Sequence, residues 1–87
     1  MSEWRWTNTR VLEDWARSQS RSEASTVIQA LKDAEISPMM PGEPVESPPG
    51  RERRVIRTSA ARIYFAPSQT RWNATQDCLF LLEIDSG

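Results

Sequence analysis

The chain concentrates its positive charge in one block. Residues 51–71 hold six arginines against the single acid Glu52, whereas residues 1–50 carry five bases and eight acids, and residues 72–87 carry three acids and no base. Arginine offers a planar fork of N–H donors that fits phosphate and carboxylate oxygens. Within the block, "RTSAARIYFA" (Arg57–Ala66) reads as the tip of a β-hairpin. A two-residue turn at Ser59 and Ala60 would set Arg57 opposite Arg62, Ile56 opposite Ile63 and Val55 opposite Tyr64. Directly opposed like charges cost a sheet about 0.2–1 kcal/mol. Such an arrangement makes sense if an anion, an RNA phosphate or an acidic protein partner, sits between the two for part of the protein's life.

The residues expected to bind that anion are Arg53, Arg57 and Arg62, joined by Arg71 and Trp72 from the loop "PSQTRWNATQD". The Arg71–Trp72 pair could stack on exposed bases, anchor a protein interface, or fold back over the sheet edge. Cleavage of RNA by its own 2′-hydroxyl needs one group to take a proton, one to give a proton, and positive charge on the phosphorane-like transition state. Arginine supplies only the charge, which leaves Tyr64 and Glu83 as acid/base candidates on the same face. Each has a plainer use. Glu83 can relieve the Arg57 and Arg62 repulsion as an ion-pair partner, and Tyr64 can pack its ring and leave its hydroxyl in water.

Several chemistries are excluded. With no histidine there is no His general base and no Cys/His zinc site, and the single Cys78 cannot form an internal disulfide. No phosphate-binding glycine loop, paired carboxylates or metal-ligand cluster is present, so no metal and no cofactor is expected. "NAT" at Asn73 matches a glycosylation pattern but lacks a secretory context. The longest apolar run, Cys78–Leu82, is too short to span a bilayer. The expectation is a soluble, cytoplasmic protein with no membrane contact.

The elements that must hold these residues follow from periodicity. One domain, 1–87, with a small core is expected at this length. "SEWRWT" alternates as a strand, with Trp4 and Trp6 on one face and Glu3 and Arg5 on the other. Thr7, Asn8 and Thr9 offer helix N-caps, and Val11, Leu12 and Trp15 follow at helical spacing. "RSQSRS" interrupts. Ser20 and Glu23 then have capping-box spacing ahead of a second helix with the stripe Ala24, Val27, Ile28, Leu31 and Ala34. A proline-rich loop, 37–50, separates helices from sheet because five prolines there suit neither a helix nor a central strand. Met39 and Met40 within it are expected to lie down on their own domain rather than anchor a partner. Three strands close the chain, with "PSQTRWNATQD" as a long loop. Ile56, Ile63, Phe65, Phe80, Leu82 and Ile84 are expected to face the helices; Arg53, Arg57, Arg62, Tyr64 and Glu83, with Leu79 and Leu81, the opposite side. The fold class is therefore α+β: an N-terminal strand, a helical hairpin, then a three-stranded antiparallel meander.

On this element order, and on "RRVIRTSAARIYFA" followed by "CLFLLEI", the chain resembles the RelE/ParE superfamily of small bacterial toxins. Ala60-Ala61-Arg62-Ile63-Tyr64-Phe65 stands where the family shows Gly-Tyr-Arg-aliphatic-x-Tyr/Phe. The resemblance implies a sheet backed by a helical hairpin, and a bacterial or phage protein that inhibits translation or another nucleic-acid machine. It implies Arg62 and Tyr64 as catalytic residues if the chain is a ribosome-dependent mRNA endonuclease. It also implies a cognate antitoxin whose extended segment covers the basic face. Two departures stand beside it. Ala60 and Ala61 replace the usual Gly and Tyr, and the basic and tyrosine residues that mRNA-cleaving members carry at the C-terminus have no counterpart before Gly87. The second expectation is therefore a non-catalytic, phage-borne inhibitor that binds a host protein, or an adaptor of the same fold.

Overall fold

A computed structural model describes residues 3–46, 52–69 and 76–86. The first strand, β1 (Glu3–Thr7), turns into the helices through Asn8, whose φ of 60° is the left-handed conformation that asparagine tolerates best after glycine. Asn8 Nδ2 donates to the Leu81 carbonyl at 2.8 Å, so the residue docks the turn on the sheet. Thr9 is the N-cap of α1 (Arg10–Ala16) without a side-chain capping bond. Ser20 caps α2 (Arg21–Glu35) as its spacing predicts: its Oγ accepts from the Glu23 N–H at 3.2 Å and donates to Glu23 Oε1 at 2.8 Å. The two helices form the expected hairpin.

The remaining elements are β2 (Glu43–Val45), β3 (Arg53–Arg57), β4 (Arg62–Gln69) and β5 (Gln76–Asp85). All five strands form one sheet in the order β1-β5-β4-β3-β2. The β1–β5 pair is parallel and the others antiparallel. Helices cover one face. Between the layers lie Trp6, Val27, Leu31, Ala34, Ala61, Ile63, Phe65, Leu79, Leu81 and Ile84. Trp6 meets Phe65 edge-on, centroids 5.2 Å apart, and its Nε1 donates to the Leu31 carbonyl at 2.9 Å. Trp4 does the same to Ser37 at 3.1 Å. Both tryptophans thus fill space, Trp6 tying β1 to α2 and Trp4 tying it to the segment just after α2.

Four expectations are corrected. The strand count is five rather than four, because Glu43–Val45, inside the proline-rich segment, pairs with β3. An edge strand has one side without a ladder, so Pro44 is tolerated there. Second, the long loop is shorter: Pro67–Gln69 extend β4 and Gln76–Asp77 begin β5. Third, the phase of β5 reverses at a bulge. Tyr64 pairs with Glu83 but Phe65 with Leu81, leaving Leu82 as an extra residue. Leu79 and Leu81 are therefore fully buried under the helices, while Phe80, expected in the core, is 44% exposed. Fourth, Ile28, expected in the buried stripe of the second helix, is 37% exposed, and Met39, expected to lie down on its own domain, is 75% exposed.

Candidate anion-binding face

The hairpin that carries the arginines has the register read from its sequence. Arg57 pairs with Arg62, Ile56 with Ile63 and Val55 with Tyr64. The turn needs no residue at positive φ, because Thr58 organises it. Its Oγ1 donates to the Ala61 carbonyl at 2.8 Å and accepts from the N–H groups of Ala60 (3.1 Å) and Ala61 (2.9 Å). This answers the loss of glycine at position 60.

Strand alternation puts Arg53, Val55 and Arg57 of β3 on the face away from the helices, with Arg62 and Tyr64 of β4 and Glu83 and Asp85 of β5. Three rows result. Arg62 lies between Arg57 and Asp85; Tyr64 lies between Val55 and Glu83; and Ala66 lies beside Phe80, itself across from Thr7. Arg5 shares the face through its pairing with Cys78. The Arg57 side chain is 70% exposed, and its Nε stands 3.8 Å from Glu43 Oε2 on β2. Exposed pairs of this kind contribute ~0–1 kcal/mol, too little to fix either side chain. Asp85 is engaged in an interaction of its own rather than free. Arg53 shares the face but stands four residues down β3 from Arg57, roughly 13 Å at the usual rise. It flanks the Arg57–Arg62 pair rather than joining it.

The structure thus brings together Arg57, Arg62, Tyr64 and Glu83, with Arg53 at a distance. Arg71 and Trp72 lie outside the described residues. Sequence reading missed Glu43, Asp85 and Phe80 as members of this face. Asp85 could have been found by continuing the alternation from Glu83. Glu43 was hidden in the proline-rich segment and Phe80 by the bulge. A neighbouring arginine has a different role: Arg54 points to the helix side, where Nε donates to the Pro41 carbonyl at 2.9 Å and Nη2 to the Gly42 carbonyl at 2.7 Å.

No family model, curated protein or solved structure matches the chain. Its chemistry is read from its own side chains. Among the described residues there is no group of three or more His, Cys, Asp or Glu side chains that could hold a metal ion. No helix among them is long and apolar enough to cross a membrane. A shallow cleft of about 530 Å³ opens on the helix side, between Thr26, Gln29 and Asp33 of α2 and the Thr58–Ser59 turn. Asp33 there accepts from Gln29 Nε2 at 3.0 Å. On the open face, the Arg57–Arg62 row supplies charge, and Tyr64 with Glu83 supplies groups able to move a proton. The two rows are one same-face step, roughly 7 Å, apart. Holding an anion needs only the first row. Proton transfer to that anion needs a donor within ~3.2 Å, so the second row must lean toward it.

Proposed function

We propose that the chain is a RelE/ParE-like inhibitory module that acts by gripping an anionic target, the phosphate backbone of single-stranded RNA foremost, on the sheet face opposite the helices. The observation that carries this reading is the direct opposition of Arg57 and Arg62 on a face that no described helix covers, with Arg57 largely exposed. Opposed guanidinium forks can bracket one phosphate, and exposed Phe80 and half-buried Tyr64 offer rings for stacking bases beside it. In this reading Arg62 and Arg57 bind, Arg53 extends the footprint, and Tyr64 orients the bound strand.

The interleaved acids favour a second reading. Glu43, Glu83 and Asp85 alternate with the arginines, and a face of mixed sign fits a protein surface better than it fits bare phosphate. That is the non-catalytic inhibitor or adaptor that binds a host protein. The two readings separate by titrating a labelled single-stranded RNA with the protein at two salt concentrations. Phosphate binding predicts an affinity that falls steeply with salt, with Arg62→Ala lowering the slope by about one phosphate's share. An RNA affinity indifferent to salt and to Arg62→Ala would leave the protein-binding reading. A ribosome-bound message cut by the wild-type chain, and spared by Tyr64→Phe, would add catalysis to the first.

A further inference from the structure

Glu43, Glu83 and Asp85 each lower the attraction of the open face for phosphate. Two of them are engaged: Glu43 stands 3.8 Å from Arg57, and Asp85 has an interaction of its own. Glu83 is not. It is exposed, and among the described residues no ion pair involves it, although Arg62 shares its face. Its neighbour is a ring. Glu83 pairs with Tyr64 across β4 and β5, which sets their β-carbons about 4.5–5.5 Å apart. One row further from the arginines, Phe80 presents a second ring, 44% exposed, between Ala66 and Thr7. Neither of those neighbours is charged, and the Thr7 hydroxyl donates to the Leu79 carbonyl at 3.5 Å.

We infer that, building on the phosphate grip proposed above, the face also reads one base of the bound RNA strand. The base stacked on Tyr64 turns its edge to Glu83 and is selected for an exocyclic amino group; the base stacked on Phe80 is not selected. A carboxylate only accepts hydrogen bonds. Cytosine and adenine each offer it an amino group, at N4 and N6, on an edge that an unpaired base leaves free. Uracil has in that place an N3–H between two carbonyl oxygens, and both oxygens repel a carboxylate. Cytosine and uracil have the same ring size, so their difference isolates the edge from the stacking. At Phe80 only the ring is on offer, and stacking on a ring tolerates every base. The strand then meets, in order along the face, a phosphate grip at Arg57 and Arg62, a read position at Tyr64 and an unread one at Phe80. Glu83 costs some attraction for phosphate and returns selectivity.

Fluorescence anisotropy with labelled RNA octamers of cytidine, adenosine or uridine tests it. Wild type should hold the cytidine and adenosine octamers about five- to tenfold more tightly than the uridine octamer, the low end of what a base-edge contact discriminates. Glu83→Gln, whose amide donates as well as accepts, should bring uridine level with cytidine. Glu83→Ala, which removes the acceptor outright, should do the same. Phe80→Ala should weaken all three octamers by a similar factor and leave the cytidine-to-uridine ratio unchanged. Equal wild-type affinity for cytidine and uridine overturns the inference, and so does a preference that both Glu83 variants leave intact. In either case, binding that still falls with salt and with Arg62→Ala leaves the phosphate grip standing. An affinity for every octamer that is indifferent to salt and to Arg62→Ala removes the grip and the base reading together.

Discussion

Gly42 occupies a position that no other residue can take without strain. Its φ is 77°, and an added Cβ would sit 2.7 Å from the Val55 carbonyl oxygen and 3.1 Å from a ring carbon of Phe65. Gly42→Ala should cost ~1–3 kcal/mol, read as a lower urea midpoint with an unchanged slope. The carbonyls of Pro41 and Gly42 are also the acceptors for Arg54, which is why the arginines of β3 divide into two kinds. The Arg54 side chain is 15% exposed and holds the segment before β2 against β3. Among the described residues Arg57 and Arg62 hold no comparable structural bond; removing Arg57 loses a weak surface ion pair, and removing either relieves a like-charge opposition. Arg57→Ala and Arg62→Ala should therefore shift stability by no more than about 0.5 kcal/mol, whereas Arg54→Ala loses ~1–3 kcal/mol. Denaturation midpoints of the three variants compared side by side make the check. A destabilisation by Arg57→Ala equal to that by Arg54→Ala would mean the open face is structural.

Among the elements, β5 shows how far periodicity reads and where it stops. The β3–β4 hairpin was legible because a short turn and period-two alternation fix each other locally, and α2 because Ser20 and Glu23 mark its start. In "CLFLLEI" both phases are apolar: Leu79 and Leu81 on one, Phe80 and Leu82 on the other. Alternation alone cannot choose between them. The bulge at Leu82 makes the choice, and it depends on pairing with β4 rather than on any local signal. β2 was hidden for a related reason, since the proline penalty applies fully only to strands paired on both sides. The open face suffered most. Its arginines were found, but the acids beside them come from β2 and from beyond the bulge. Removing one leucine of the Leu81–Leu82 pair should regularise the ladder and leave every core side chain on its side. That deletion should retain a cooperative unfolding transition. Deleting Val55, in the regularly paired β3–β4 ladder, reverses the faces of the residues on one side of it and should abolish the transition. Circular dichroism during heating distinguishes the two.

At the scale of the whole molecule, the sheet is completed when β1 pairs with β5. About seventy residues separate Glu3 from its partner Gln76, and the ladder continues to Thr7 and Phe80. The hairpin of β3 and β4 can form within a few residues of chain, but β1 must wait until residues 76–85 exist and have already paired with β4. During synthesis the indoles of Trp4 and Trp6 therefore face water or α2 alone for most of the chain's growth. Closing so long a segment is the step with the largest entropic cost, and proteins dominated by such distant pairings fold slowly. In refolding followed by pulsed hydrogen exchange, amides of β3 and β4 should gain protection first and those of β1 last. The seam between β1 and β5 is then a clock as well as a bond: a newly made chain has no complete sheet until β5 lies between β4 and β1.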